Sequence, residues 1–255
     1  MLMALTREIS PALESCQLTH LPRVRIDVGR ARAQHAAYEW ALVEQGCTIR
    51  RLDAGPDMPD SVFIEDIAVV LDEGAVVCRP GAESRRVEIP GVIDALARHG
   101  RPLQQIQAPG TLDGGDVLVI GRQVFVGSST RTNRPAIDQL SGMLGAVGYT
   151  VRAVPVRGCL HLKSAATAVA PDTLLINSAW LPADAFRGLS LIDVDPEEPH
   201  AANGLAIGDV VIYPASFPRT RERLERRGLR VRPVEVDELQ KAEGAVTCCS
   251  LIFDL

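Results

Sequence analysis

The chain has 255 residues, 46% of them hydrophobic, which is enough to bury one large core or two small ones. Its formal net charge is −5, with Lys and Arg interspersed among Asp and Glu, so no basic tract marks it for nucleic acid. The opening residues, Met1-Leu2-Met3-Ala4-Leu5-Thr6-Arg7-Glu8, meet charge before a signal-type apolar stretch forms, and no apolar run is long enough to span a bilayer; a soluble, cytoplasmic protein is expected.

In chain order, Leu2–Thr6 reads as a strand, and Gln17-Leu18-Thr19-His20 as a lid-like segment before a helix over roughly Asp27–Gln45. Four paired apolar runs follow, each around a short polar turn: Ala68–Leu71 with Ala75–Cys78, Val117–Ile120 with Val124–Gly127, Ala166–Ala170 with Leu174–Asn177, and Leu205–Ile207 with Val210–Tyr213. Such pairs are hairpin signals. Each leads to a helix-like stretch that ends in glycine and is followed by another short strand. The terminating glycines, counting that of the first helix, are Gly46, Gly100, Gly148, Gly188 and Gly228, spaced by 54, 48, 40 and 40 residues. The repeating unit is therefore strand, strand, helix, strand. The last run, Ala245–Phe253, also reads as a strand. Pairing it with Leu2–Thr6 would complete a fifth unit and close a ring without exposed sheet edges. No composition shift or linker divides the chain, so a single domain over 1–255 is expected.

Closure would bring five polar segments to one axis: Ser61–Asp66, Thr111–Asp116, His161–Lys163, Ala202-Asn203 and Thr247–Ser250. Carboxylates, a histidine, an amide and a thiol would converge there. The six cysteines, Cys16, Cys47, Cys78, Cys159, Cys248 and Cys249, lack C-x-x-C spacing and read mostly as reduced, buried small hydrophobes. On a strand Cys248 and Cys249 would point to opposite faces, so one alone would reach the axis, and alternation does not say which.

Several strings carry a resemblance spread over nearly the whole chain: Pro59–Asp66, Arg79–Arg86, Thr111–Leu118, Ser129–Asn133, Leu160–Ser164, Ala201–Asn203 and Thr247–Ser250. In these the chain resembles the dimethylargininases of the guanidino-group-modifying superfamily. The resemblance implies an α/β fold, a five-bladed propeller of ββαβ modules, with no organic cofactor and no catalytic metal. It implies hydrolysis of Nω-methylated arginine to citrulline and a methylamine through a covalent thiouronium on cysteine.

By the same resemblance Cys248 is the nucleophile, His161 the acid and then the base, and Asp113 the carboxylate that orients the histidine, a position held by glutamate in some relatives. Glu65 and Asp66 would grip the guanidinium, and Asp60 the α-amino group. Arg85 and Arg131 would take the α-carboxylate through their forked donors. Leu18 matches the lid position, and Phe63 would wall the methylated end. Asp116 reads as a turn acid. A thiol ringed by Glu65, Asp66 and Asp113 should stay neutral until a cation arrives. Rival readings keep the chemistry but exchange the substrate for arginine or agmatine, or make the protein a zinc site or a non-catalytic ring. Zinc at Cys248 and His161 is expected only as an inhibitor. The expected partner is a small guanidino amino acid, with homodimer formation left open.

Overall fold

Five glycines organise the chain because each ends a helical segment with a backbone that a side chain would strain. In the computed structural model, which describes all 255 residues, Gly46, Gly100, Gly148, Gly188 and Gly228 all have positive φ, from 67° to 93°. The strand after each runs parallel to the strand before the helical segment, the connection expected of a β-α-β crossover.

Fifteen short strands result: β1 (Leu2–Arg7), β2 (Thr48–Leu52), β3 (Ala68–Leu71), β4 (Gly74–Val77), β5 (Leu103–Gln105), β6 (Val117–Ile120), β7 (Gln123–Ser128) and β8 (Thr150–Pro155). The remainder are β9 (Ala166–Ala170), β10 (Thr173–Ile176), β11 (Ser190–Asp193), β12 (Leu205–Ile207), β13 (Val210–Pro214), β14 (Arg230–Val234) and β15 (Leu251–Asp254). They form five three-stranded sheets: β3-β4-β5, β6-β7-β8, β9-β10-β11, β12-β13-β14 and β15-β1-β2. In each the first pair is antiparallel and the second parallel. The fifth joins the two ends of the chain, with Leu2 opposite Asp254 and Leu5 opposite Leu251. The expected pairing of the termini is therefore present.

Helices α1 (Val28–Glu44), α2 (Ile89–Arg98), α3 (Arg134–Gly145) and α5 (Pro218–Arg226) link the second and third strands of four sheets, while α4 (Leu162–Ala165) and α6 (Asp237–Gln240) are single turns. Caps explain two of the starts: Asp27 accepts from the Arg30 amide, and Asn133 from that of Ala136. Before Gly188 the expected helix is only a 3-10 turn, Ala183–Phe186. Pro182 precedes that turn, and Gly188 follows two residues after it, which leaves no room for a longer helix.

The core is divided among five apolar clusters, each taking side chains from two sheets. One joins Met3, Leu5 and Phe253 to Ala68 and Ala75 with Leu96 of α2; another joins Val69 and Val76 to Val124 and Val126 with Leu140 of α3. A third joins Leu118 and Phe125 to Leu174 and Ile176, a fourth Val169 and Leu175 to Val211 and Tyr213, and a fifth Ile207 and Ile212 to Ala4 with Tyr38 of α1. The first strands β3, β6, β9, β12 and β15 all contribute to the wall of one cavity of about 280 Å3. No helix is long and apolar enough to cross a membrane.

The last expected strand differs. Thr247–Cys249 is a 3-10 turn, and only Leu251–Asp254 pairs in the sheet. The Thr247 amide donates to Oδ1 of Asn203 at 3.0 Å, and that of Cys248 to the Ala245 carbonyl at 3.2 Å, so neither amide joins a ladder. The strand-like run Ala245–Phe253 misled because the turn buries Thr247 and Cys249 as a strand could.

Candidate active site

Short turns leading into the first strands supply the chemistry. The turn Ile64–Ile67 presents two adjacent acids, and a 3-10 backbone rotates successive residues by about 120°, so they face different ways. Glu65 lines the cavity between the first strands, where Oε1 accepts from Lys163 Nζ at 2.5 Å and Oε2 from the Thr247 hydroxyl at 2.9 Å. Asp66 faces the opposite side, with Oδ2 2.5 Å from Nη1 of Arg85 and Oδ1 accepting from the Gly115 amide at 2.9 Å.

The next turn, Gly114–Asp116, follows Asp113. Oδ1 of Asp113 accepts from the Gly81 amide at 2.9 Å, and Oδ2 lies 3.1 Å from Nε2 of His161. Glycine is required here by close packing. A Cβ on Gly114 would lie 2.0 Å from the Glu65 carbonyl oxygen, and one on Gly115 2.6 Å from His161 Nδ1. Asp116 ties the turns together, accepting from the Leu162 amide at 2.9 Å and the Ser129 hydroxyl at 2.6 Å. It is the turn acid it was expected to be.

His161 therefore sits with one ring nitrogen on Asp113 and the other 3.8 Å from Asp66 Oδ1. Burial opposes its charging, but Asp66, then Asp113 and Asp116, outweigh that and raise its pKa to about 9. These acid neighbours thus favour the imidazolium over the neutral ring. Asp66 moves the other way: burial would raise it, yet His161 and Arg85 hold it below the usual carboxylate range. For Glu65 burial prevails over Lys163 and the carboxyl is pushed up.

The two cysteines are sorted by their turn. Cys249 is fully buried in the apolar cluster around α1, and its thiol contacts the Ala245 carbonyl. Cys248 is half-buried and opens onto the narrow space beside His161. Burial, then Glu65 and Asp66, push its thiol up to about 12. Burial comes first among these causes, and Asp113, the third acid expected to act on the thiol, is not one of them.

Eight of the ten expected site residues line one narrow cavity of about 20 Å3: Cys248, His161, Asp113, Asp66, Phe63, Asp60, Arg85 and Arg131. Asp60 accepts from the Gln17 amide through Oδ1 at 2.9 Å, and Arg131 donates from Nη2 to the Thr19 hydroxyl at 3.1 Å. Arg85 is buried and already engaged, donating to both oxygens of Glu88, to Asp66 and to the carbonyls of Asp60 and Phe63. Glu65 lies outside this cavity, turned toward Lys163. Leu18 also lies outside; it packs on the α1 cluster, while its neighbours Gln17, His20 and Leu21 reach the cavities.

Two participants escaped the sequence reading. Lys163 stands two residues after His161 inside a string already singled out, so the signal was there. Glu243 had none. Its carboxylate accepts from the amides of Thr19 (3.1 and 3.0 Å), His20 (2.5 Å) and Leu21 (2.6 Å), and so fastens the 17–21 segment over the site. Glu243 is also the non-glycine residue held at positive φ, 59°. Donor atoms of Asp66, Asp113 and His161 lie within 4.8 Å of one another and could hold a metal ion; of the two residues expected to bind inhibitory zinc, His161 is in that group and Cys248 is not.

With this geometry in place, comparison with known proteins is informative. A family profile described as "N,N dimethylarginine dimethylhydrolase, eukaryotic" matches residues 23–252. The chain is 42% identical to the N(G),N(G)-dimethylarginine dimethylaminohydrolase of Streptomyces coelicolor, over 97% of this chain and 95% of that one. It is 35% identical to the protein of the same name from Pseudomonas aeruginosa, over 89% and 90%. A solved structure of the Pseudomonas aeruginosa protein, a Cys-to-Ser mutant in complex with citrulline, superposes with a TM-score of 0.93 at 33% identity and covers 98% of each chain. The N-terminal domain of ArgZ, a cyanobacterial arginine dihydrolase, shares the fold at a TM-score of 0.89 and 19% identity, covering 98% of this chain and 97% of that one. The chain belongs to the dimethylarginine dimethylaminohydrolase family.

Proposed function

We propose that this protein hydrolyses Nω-methylated arginine to citrulline and a methylamine, as the names of its relatives and the citrulline in the Pseudomonas complex suggest. One observation carries the reading: Cys248 and His161 share a cavity with Asp66, Asp113, Asp60 and Arg131. That is the charge pattern of an amino acid with a guanidinium side chain. Asp60 takes the α-amino group. Arg131 takes the α-carboxylate, with Arg85 assisting through Nη1, which makes a single bond here. Phe63 walls the methylated end. A single catalytic domain over 1–255 is part of this reading. So is a five-bladed propeller, supported by five sheets, five shared clusters and the paired chain ends.

The arriving guanidinium supplies the positive charge that the thiol lacks among its acid neighbours, so Cys248 ionises on binding and its proton leaves to solvent. The thiolate attacks the guanidinium carbon, and the imidazolium of His161 gives its proton to the departing methylamine as the C–N bond breaks. A thiouronium remains on sulfur. Neutral His161 then takes a proton from water, whose oxygen adds to the same carbon. The C–S bond breaks, and citrulline is released. Asp113 keeps the ring in place throughout. The chemistry is assigned to these side chains alone, with no cofactor.

The test is citrulline formation by the purified protein from asymmetric dimethylarginine, monomethylarginine and arginine, beside Cys248→Ser. Turnover of the methylated substrates, lost in the variant, is expected. Turnover of arginine alone would move the assignment to a deiminase.

A further inference from the structure

Of the five polar segments expected to converge, Ala202-Asn203 has no part in the mechanism above. Its backbone is nonetheless held from two sides. The Tyr213 hydroxyl donates to the Ala201 carbonyl at 2.6 Å. Thr167 of β9 donates through its hydroxyl to the Ala202 carbonyl at 2.8 Å and accepts there from the Gly204 amide at 3.0 Å. The Asn203 side chain, 3% exposed, is thereby presented to the turn that carries Cys248.

A buried carboxamide has an NH2 group and an oxygen to satisfy. In Asn203 both are engaged. Nδ2 donates to the Lys163 carbonyl at 3.0 Å and to the Thr247 hydroxyl at 2.9 Å, and Oδ1 accepts from the Thr247 amide at 3.0 Å. The Thr247 hydroxyl donates in turn to Oε2 of Glu65 at 2.9 Å, and Oε1 of Glu65 accepts from Lys163 Nζ at 2.5 Å. Asn203, Thr247, Glu65 and Lys163 thus close a circuit of hydrogen bonds that ties three turns together. A group of the mechanism stands next to each turn's member: Cys248 follows Thr247, Asp66 follows Glu65, and His161 lies two residues before Lys163.

The turn Thr247–Cys249 lies outside the strand that follows it, so bonds of this kind set its place. Asn203 makes two of them, and its third bond reaches the turn after His161. We propose that Asn203 is a positioning residue for the hydrolysis, which fixes the Cys248 thiol relative to the His161 imidazole through Thr247 and Lys163. Sulfur must meet the guanidinium carbon while the imidazolium meets the departing nitrogen. A displacement of about 1 Å between such groups costs on the order of 10^2-fold in rate. With its donors spent on the two turns, Asn203 has none for the substrate, so its loss acts on kcat more than on KM. The inference rests on the hydrolase reading above and adds to that site a residue that makes no hydrogen bond to the reacting groups.

The experiment measures kcat and KM for citrulline release from monomethylarginine in Asn203→Ala, Thr247→Val and Thr247→Ser, with circular dichroism and urea unfolding to confirm the native fold of each. Asn203→Ala should lower kcat by about 30- to 100-fold and leave KM within about threefold. Thr247→Val, which keeps the shape of threonine without its hydroxyl, should lower kcat by about tenfold, whereas Thr247→Ser, which keeps the hydroxyl, should stay within about threefold. Combining Asn203→Ala with Thr247→Val should cost far less than the product of the single losses, because both cut the same circuit. The milder Asn203→Ser, too short to bridge both turns, carries the same expectation should the alanine variant not fold. A folded Asn203 variant with kcat within about threefold of the wild type, or with its loss in KM instead, would overturn the proposal and leave the hydrolase reading standing. Equal kcat losses in the two Thr247 variants would also overturn it. Absence of turnover by the folded wild type would overturn the hydrolase reading and this proposal with it.

Discussion

Glu65 and Asp66 are neighbours in sequence, yet they belong to different parts of the molecule. Asp66 faces the ligand cavity in a cluster of opposite charges, Arg85 and His161, and is held ionised. Glu65 faces the cavity between the first strands, pinned by Lys163 and Thr247, and burial raises its carboxyl. The adjacent cysteines repeat the contrast: Cys248 opens on the ligand side and Cys249 is sealed in the core. A 3-10 turn at the head of a first strand thus sends consecutive residues to different sides.

Substitutions that separate the two sides sharpen the contrast. The largest effect is expected for Asp113→Asn, which removes the anionic partner of His161 Nε2. A fall of about 10^2 to 10^4-fold in kcat fits the loss of an oriented acid–base group. The sign of the pH effect follows from the raised histidine pKa: His161 acts as an acid while protonated, so activity should fall on the alkaline side near 9. With Asp113 neutral, that limb should move to lower pH in a kcat profile; an unmoved limb would detach it from His161.

Next comes the acid pair itself. Asp66→Asn should raise KM for the guanidinium and lower kcat, because it removes both a cation partner and a charge that supports imidazolium. Glu65→Gln should leave KM within about threefold while costing up to about 3 kcal/mol in urea unfolding, since it strips a partner from a largely buried ion pair. Reversal of the two outcomes would break the division between the sides. The smallest effect is expected for Glu243→Ala. Release of the three amides of Thr19, His20 and Leu21 should raise KM by about three- to tenfold with kcat little changed, and speed hydrogen exchange in that segment.

Much of this architecture was legible. The helix-ending glycines marked the repeats, and the hairpins fell within a residue or two of their expected places. The two chain ends paired as expected. The site was legible to the extent that its residues sit in turns that close packing dictates, as in Asp113-Gly114-Gly115-Asp116, where glycine yields to the Glu65 carbonyl and the His161 ring. Direction was not legible. Nothing in Phe63-Ile64-Glu65-Asp66 says which acid turns inward, and the apolar run around Cys248 and Cys249 concealed a 3-10 turn. Glu243 lies more than 220 residues from the amides it holds, so no local pattern could reveal it.

The most direct test is to locate the covalent intermediate. Acid quenching of the protein during turnover of monomethylarginine, followed by fragmentation mass spectrometry, should place a thiouronium adduct on Cys248 and leave Cys249 unmodified. An adduct on Cys249, or steady turnover in Cys248→Ser, would contradict the assignment of the ligand-facing thiol as the nucleophile.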